Sequence, residues 1–236
     1  MPGTEYSGLN IFSVKRDSLR KLRPIREAEI IAEFLRSEFH HPEFHRDRER
    51  FEAVVLQPNL NDQTENALRR QLLFRRHGRT WRELPPDTAW WEVELDRQDI
   101  DCVRLSPRPP WNEIANDSMR LIDIVERIST GHLTGHTASK VQSIHYHLQQ
   151  SPCGSALDSV LLIGVEGEKE PLTVLDGNHR LIAALLCHHG LPLDQFRLLC
   201  GLSPGMNQCC SYEITSATNL RNSRLSRLRG LFGLRA

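Results

Sequence analysis

The chain has 236 residues, 39% of them hydrophobic, which is enough to bury the core of one large domain or of one domain with an extension. Its 30 basic and 30 acidic side chains cancel, so no whole-protein field attracts nucleic acid or an anionic membrane, and such a partner would have to meet a local patch. No stretch reaches the roughly 20 apolar residues of a membrane-spanning helix. The N-terminus lacks the apolar core of a signal peptide, so we expect a cytoplasmic protein without a membrane partner.

Three helical patterns fill the first third of the chain. Pro24 suits a helix start, and Gly78 lies where a helix would end. These patterns predict an N-terminal helical region over residues 1–85. The three patterns cover residues 24–39, 46–57 and 62–78.

The composition changes after residue 85. Aromatic and β-branched residues predict a strand over Trp90–Leu95, and a continuous apolar run predicts that the strand Ser159–Val165 is buried on both faces. The chain closes with a basic amphipathic tail, residues 216–236. Further strands are expected at 102–105, 172–175, 196–202 and 209–214, and helices at 118–128, 139–149 and 180–189.

The turn between the strand at 172–175 and the next helix carries the clearest functional signal. A helix N-terminus exposes unpaired amides and a partial positive charge, so His179 and Arg180 are unfavourable there unless an anion lies between them and the amides. Gly177 lets a ligand approach the backbone, and Asp176 or Asn178 can cap the helix or orient a ribose, a hydroxyl or a metal ion. A bound phosphate would reconcile these features.

A simpler interpretation of the same residues stays open. Asp176 could cap the helix and form a surface ion pair with Arg180, four residues later, without any ligand. Short strand–glycine–helix turns are common, and the local pattern is weaker than a complete P-loop. The residues of the turn therefore leave both an anion site and a purely structural role possible.

Residues 159–190 resemble the nucleotide-binding core of the ParB/sulfiredoxin superfamily: a buried strand, a turn, a second strand, a Gly-x-x-Arg signature and an alanine-containing helix. Residues 90–107 are similar to the superfamily's opening segment, in which a strand with acidic positions leads into a turn that ends in proline. The resemblance implies an α+β domain over residues 86–215, with a mixed sheet flanked by helices. The helical region and the basic tail have no counterpart in it.

Two branches of the superfamily fit poorly. Sulfiredoxins carry a reactive cysteine directly after the signature glycine, where this chain has Asn178, so sulfinic-acid reduction is not expected. Chromosome-partitioning members carry a Gly-Glu-Arg-Arg box and then a helix-turn-helix domain. Here the box reads Gly-Asn-His-Arg and few residues follow it, so a CTP-gated DNA clamp is disfavoured.

The form Asp-Gly-x-x-Arg is most similar to the free-serine kinase branch, which implies phosphate transfer from ATP or ADP to a small hydroxylated metabolite. By that similarity, Gly177, Asn178 and His179 would hold the phosphates and Arg180 would counter their charge. Asp176 would bind the acceptor hydroxyl or Mg²⁺ supplied with the nucleotide. A carboxylate near the opening strand would be the general base, and the candidates are Glu92, Glu94, Asp96 and Asp99.

Two other functions stay open. A nucleotide-responsive regulator that binds DNA or RNA would use a run of arginines in the third helix together with the basic tail. Usually such a run is a solvated face, and several of these arginines could pair with acidic residues within 46–52. A fold member without activity would only scaffold a partner. The run comprises Arg69, Arg70, Arg75, Arg76 and Arg79.

Two further clusters favour structural roles. Three histidines and a glutamate lie within His40–His45, which suggests a metal site, but Pro42 breaks the helix there, so we expect a solvated loop. Four tryptophans surround the predicted opening strand and are expected to pack in the core, although one could stack on a base. They are Trp81, Trp90, Trp91 and Trp111.

Overall fold

The structure is a computed structural model that describes residues 19–107, 111–114, 119–132, 135–150, 159–167, 171–186, 196–209 and 212. Its strands are β1 (Arg20–Ile25), β2 (Ala89–Glu94), β3 (Arg104–Leu105), β4 (Ser159–Val165), β5 (Thr173–Asp176) and β6 (Arg197–Ser203). They form one six-stranded sheet in the order β1-β2-β6-β4-β5-β3. The sheet is mixed, because β4 with β6 and β3 with β5 are parallel pairs whereas the other neighbours are antiparallel.

Helices cover both faces of this sheet. They are α1 (Glu27–Glu38), α2 (Arg48–Leu56), α3 (Gln63–Arg82), α4 (Arg97–Cys102), α5 (Trp111–Ile114), α6 (Leu121–Ser129), α7 (His136–Gln150) and α8 (Asn178–Leu185). Two short 3-10 helices, Pro42–Phe44 and Met206–Gln208, complete the described elements. The protein is therefore of the α+β class, as the sequence predicts.

Strand β4 separates two hydrophobic cores. Val160 and Leu162 point into a core shared with α4 to α8, whereas Leu161, Ile163 and Val165 point into a core shared with α1 to α3. Successive side chains of a strand lie on opposite faces, so a strand between two helical layers must be apolar at every position. All of β4 is buried, which confirms the predicted doubly buried strand.

The predicted helix start at Pro24 is wrong. Pro24 lies in β1, where it is paired with Trp91 of β2, and α1 begins at Glu27. β1 is an edge strand, and an edge strand accepts proline because one side of its backbone needs no ladder partner. The N-terminal region thus contributes a strand as well as helices, while the domain boundaries at 85 and 215 stay predictions.

Helix α3 begins as predicted but ends later. The Asp62 carboxylate caps it by accepting hydrogen bonds from the amides of Thr64 and Glu65, at 2.7 and 3.1 Å. Gly78 does not end the helix, which continues to Arg82. The backbone instead departs from helical angles at His77, with φ −123° and ψ 18°, so α3 bends there.

The C-terminal part of the described chain agrees with the sequence only in part. Helix α8 begins two residues before the predicted Arg180, and β6 matches the strand predicted at 196–202. Cys209 and Tyr212 are not in a strand, and the rest of the strand predicted at 209–214, like the basic tail, lies outside the described residues. Among the described residues, no helix combines the length and apolar character that a membrane crossing requires.

Candidate functional site

A cavity of about 680 Å³ lies where the β5–α8 turn meets the C-terminal end of α1. It opens at the end of the sheet where the two helical layers approach each other. Residues 176–180, which the sequence predicts as the ligand-binding turn, all line this cavity. The other polar, charged or aromatic side chains that line it are Arg36, Ser37, Glu38, His40, His41, Trp111 and Lys140.

The turn itself depends on Gly177. This residue is the N-cap of α8 and has φ +91°, a left-handed conformation that residues with a Cβ rarely adopt. A Cβ there would also lie 3.1 Å from Val160 Cγ2 and 3.3 Å from Val160 Cα in β4. The structure therefore gives a packing reason for the glycine, different from the close ligand approach that the sequence suggests.

Three residues of the first turn of α8, Asn178, His179 and Arg180, line the cavity. The first hydrogen bond of the helix runs from the Leu181 amide to the Gly177 carbonyl oxygen, at 2.9 Å. The amides that precede Leu181 in the helix have no partner within the helix, as at every helix start. Unpaired amides and the partial positive charge of a helix start favour a nearby anion on general grounds.

Asp176 is held by the protein at one oxygen. Arg180 Nη2 donates to Asp176 Oδ2 at 3.1 Å, and the Ser37 hydroxyl, which lies 2.9 Å from the Phe34 carbonyl oxygen, is also within 3.3 Å of Asp176 Oδ2. The pairing with Arg180 that the sequence left open is thus confirmed, whereas capping by Asp176 is wrong, because Gly177 is the N-cap and has no side-chain cap. Asp176 Oδ1 has no hydrogen-bond partner within the described part of the chain, so it is available to a bound molecule.

The side chain of Asn178 has a similar unused group. Its Oδ1 atom is buried and has no hydrogen-bond partner among the residues that the structure describes. A buried carbonyl oxygen without a donor costs about 1–3 kcal/mol. Asn178 lines the cavity, but this oxygen is not open to it, so a ligand would meet it only after the side chain turns.

His179 is not a cation at neutral pH. Its ring lies 4.9 Å from that of Trp111, between centroids, and both residues line the cavity. Burial lowers the pKa of the imidazole to about 4, and the positive charges of Lys140, His136 and Arg180 add to this effect. Of the two expected cations at the start of α8, only the Arg180 guanidinium is charged.

Glu38 is a cavity residue that the sequence analysis missed. It lies in the last turn of α1, where a negative side chain opposes the negative end of the helix dipole. Burial raises the pKa of its carboxyl above the ordinary value, and the charge of Asp176 raises it further. A carboxylate at a helix C-terminus is the local signal that could have drawn attention to it.

Two further cations line the cavity and were also missed. Arg36 Nη1 lies 3.1 Å from Glu33 Oε1 in α1, so an ion pair within the protein partly neutralises its charge. Lys140 of α7 is exposed, and no ion pair with a described residue involves it. Neither residue is near the turn in sequence, and only the packing of α1 and α7 around α8 brings them there.

The structure does not place the predicted general bases in the cavity. Glu92 Oε2 accepts hydrogen bonds from Arg197, at 3.1 Å, and lies 2.8 Å from Arg23. The hydrogen bond from Arg197 lowers the pKa of Glu92 despite its burial, which makes it a poor proton acceptor. Glu94 is exposed and pairs with Arg20.

The other two candidate bases have a structural role. Asp96 and Asp99 form a capping box at the start of α4, in which each side chain accepts a hydrogen bond from the other residue's backbone amide, at 2.8 and 3.2 Å. Neither residue lines the cavity. The structure therefore brings Asp176 together with residues 177–180, but not with the acidic residues of 92–99.

Each arginine of the α3 run has a partner within the protein. Arg69 is fully buried and donates to the carbonyl oxygens of Val54 and Asn59, at 2.8 and 3.1 Å. The other four form ion pairs, and pairing with an acid of residues 46–52 is confirmed for two of them. The pairs are Arg70–Glu27, Arg75–Asp47, Arg76–Asp47 and Arg79–Glu83.

His40, His41 and His45 are exposed around the 3-10 helix at Pro42–Phe44, as expected for a solvated loop, and His40 and His41 also line the cavity. Trp81 and Trp90 are buried, with ring centroids 5.9 Å apart, as expected for core tryptophans.

No protein-family model, curated protein or solved structure matches this chain. The resemblance to the ParB/sulfiredoxin superfamily therefore rests on the sequence signature alone.

Proposed function

We propose that the cavity binds the phosphates of a nucleotide, ATP or ADP, and that the protein transfers a phosphoryl group from it to a small hydroxylated metabolite. One observation carries this proposal: the open first turn of α8 shares a cavity of about 680 Å³ with three cationic side chains. A cavity of this volume is in the usual range for ligands of nucleotide size. The cations are Arg36, Lys140 and Arg180.

The phosphate side of the cavity would consist of these cations and the amides of α8. Phosphoryl transfer needs in-line positioning and neutralisation of charge on the phosphate oxygens. Arg180 is fixed by its contact with Asp176, at 3.1 Å, and so presents its guanidinium in a defined position. Neutral His179 can accept or donate a hydrogen bond there without adding charge.

The acceptor side would consist of Asp176 and Asn178. Asp176 Oδ1 can accept a hydrogen bond from the acceptor hydroxyl or bind the Mg²⁺ that accompanies a nucleotide, since Oδ2 is already held by Ser37 and Arg180. Asn178 lines the same part of the cavity, and a turn of its side chain would present its amide oxygen to a second hydroxyl or an amine. Neither role requires Glu92 or Glu94. The free-serine kinase resemblance supports the same substrate class.

Calorimetric titration with ATP and with ADP, each with Mg²⁺, tests the binding step. Release of product nucleotide with a panel of small hydroxylated amino acids, serine first, tests the transfer. Arg180→Gln and Asp176→Asn should each lower turnover about 100-fold or more, because the first removes a cation at the phosphate and the second removes the charge that binds the acceptor hydroxyl or Mg²⁺. Circular dichroism should show that both variants stay folded.

Arg79→Gln is the matched control, since Arg79 is 94% exposed on α3 and lies outside the cavity. It should leave both binding and turnover unchanged. Full activity in both cavity variants would contradict the proposal. Titrations in which neither ATP nor ADP produces heat would also contradict it. Binding without transfer to any acceptor would retain the nucleotide site and reject the kinase. The nucleic-acid alternative stays a prediction, since no observation on the described residues favours it.

A further inference from the structure

Three side chains from separate segments converge beside the cavity wall. Glu38 ends α1, Glu43 lies in the 3-10 helix after it, and His77 is at the bend of α3. One donor atom from each lies within 4.8 Å of the donor atoms of the other two. Residues 39 positions apart meet here because the bend in α3 and the 3-10 helix pack against the end of α1.

The contact between His77 and Glu43 has unusual geometry. His77 Nε2 lies 3.0 Å from Glu43 Oε1, yet this buried nitrogen makes no hydrogen bond with any described residue. The carboxylate oxygen therefore lies away from the direction of the nitrogen lone pair or N–H. Two ligands of one cation have this relation: each points at the ion, about 2.1 Å away, and they lie about 3 Å from each other.

The ring of His77 is held in place by aromatic neighbours. It stacks on Phe44 with 5.6 Å between centroids, and Phe34 meets it edge-on at 5.1 Å. Phe34 and Phe44 are buried, so the imidazole cannot turn freely to make a better hydrogen bond with Glu43. The donor nitrogen is thus oriented in advance, as a metal ligand needs to be.

We propose that Glu38, Glu43 and His77 bind one divalent transition-metal cation, of which Zn²⁺ and Mn²⁺ are the probes. An imidazole with two carboxylates suits these ions, whereas Mg²⁺ takes an all-oxygen shell and rarely accepts a histidine. Three protein ligands leave a coordination position open. Glu38 also lines the cavity, so the metal site would adjoin the cavity that holds the proposed phosphate site.

The test uses the full chain, freed of metal by dialysis against a chelator and titrated calorimetrically with Zn²⁺, Mn²⁺ and Mg²⁺ in the absence of nucleotide. One site should bind Zn²⁺ or Mn²⁺ more tightly than Mg²⁺. Glu43→Gln and His77→Gln should each weaken that site about tenfold or more, since each removes a ligand. The metal should also raise the Tm of the wild-type protein and not that of either variant.

Glu49→Gln and His45→Gln are matched controls, because both residues are exposed, lie close by in sequence and are outside the cluster. Both should bind as the wild type does. Glu43 is 39% exposed, so its replacement tests the site even if the His77 variant does not fold. Unchanged binding in Glu43→Gln, tighter binding of Mg²⁺, or no site at all would overturn the metal proposal. None of these results bears on nucleotide binding, which is measured separately.

Discussion

Helix α1 borders two groups of charged side chains, the ion pairs around Arg197 of β6 and the cavity at Asp176. The two groups differ in how many of their charges have partners within the protein. Glu29, Glu33 and Ser37 are spaced four residues apart and so lie on one face of the helix. The first two accept hydrogen bonds from Arg197 of β6, at 2.9 and 3.0 Å. Ser37 instead contacts Asp176 at the cavity. One helix face thus passes from a closed ion-pair network to an open site.

The Arg197 network has internal partners for its charges. Burial lowers the pKa of the Arg197 guanidinium, but its hydrogen bonds to Glu92 and Glu29 outweigh this and raise the pKa above its ordinary value. At the cavity, by contrast, Asp176 Oδ1 and Asn178 Oδ1 have no partner among the described residues. Charge density alone therefore does not mark a site, because the charges of the Arg197 network are paired with one another.

Replacing Arg197→Met should give the largest loss of stability. It leaves three acidic side chains without their shared cation, and the free energy of unfolding should fall by about 3 kcal/mol. Urea unfolding measures this change. Arg20→Met is the control, because the exposed Arg20–Glu94 pair on the same sheet should contribute at most about 0.5 kcal/mol. Equal losses of stability in Arg197→Met and Arg20→Met would show that the Arg197 ion pairs stabilise the fold no more than an exposed ion pair does.

The titration of His179 should give a smaller effect, confined to acid pH. Its pKa is about 4 in the folded protein and about 6.5 in the unfolded chain, so the unfolded chain binds the proton first as the pH falls. The stability from the neutral ring is complete above pH 6.5 and is lost toward pH 4. Between pH 7.5 and 5 the wild type should lose about 2 kcal/mol more than His179→Asn. Parallel stability curves for the two proteins would contradict a neutral, buried imidazole.

Replacing Gly177→Ala should destabilise the protein by about 2 kcal/mol, through the left-handed backbone and the contact with Val160. Gly167→Ala separates these causes, because Gly167 has φ +75° but nothing lies within 4 Å of its missing Cβ. We expect Gly167→Ala to lower the free energy of unfolding by about 1 kcal/mol. If both substitutions lower the free energy of unfolding equally, then the contact with Val160 of β4 does not contribute to the effect at Gly177.

The smallest expected effect is that of Lys140→Gln, which should change ATP binding but not stability. Lys140→Gln should leave stability unchanged within about 0.5 kcal/mol, because the side chain is exposed. It should weaken ATP binding about threefold to tenfold, and more at low salt than at high salt. Lys21→Gln, which removes a lysine paired with Glu166 in another part of the protein, should not affect ATP binding. A similar loss of ATP affinity in both lysine variants would show that the nucleotide does not bind beside Lys140.

The sequence predicted those features that depend on neighbouring residues. The burial of β4 on both faces and the start of α3 near residue 62 follow from the local pattern of apolar and polar residues. The prediction at Pro24 failed because proline suits both a first helical turn and an edge strand, and only the pairing with β2 decides between them. Local chemistry also identified residues 176–180 as one turn.

The rest of the site depends on contacts between distant segments. Arg36, Glu38 and Lys140 reach the turn through the packing of α1 and α7, which no sequence period describes. The choice of Glu92 and Glu94 as bases came from the resemblance. Ion pairs formed across β1, β2 and β6 keep both residues away from the cavity.

A crystal structure of the protein with ADP and Mg²⁺ would show directly whether the start of α8 binds phosphate. We expect a phosphate group within about 3 Å of the amides at the start of α8 and of the Arg180 guanidinium. Ordered ADP bound elsewhere, with the α8 amides turned to solvent or to protein groups, would contradict it.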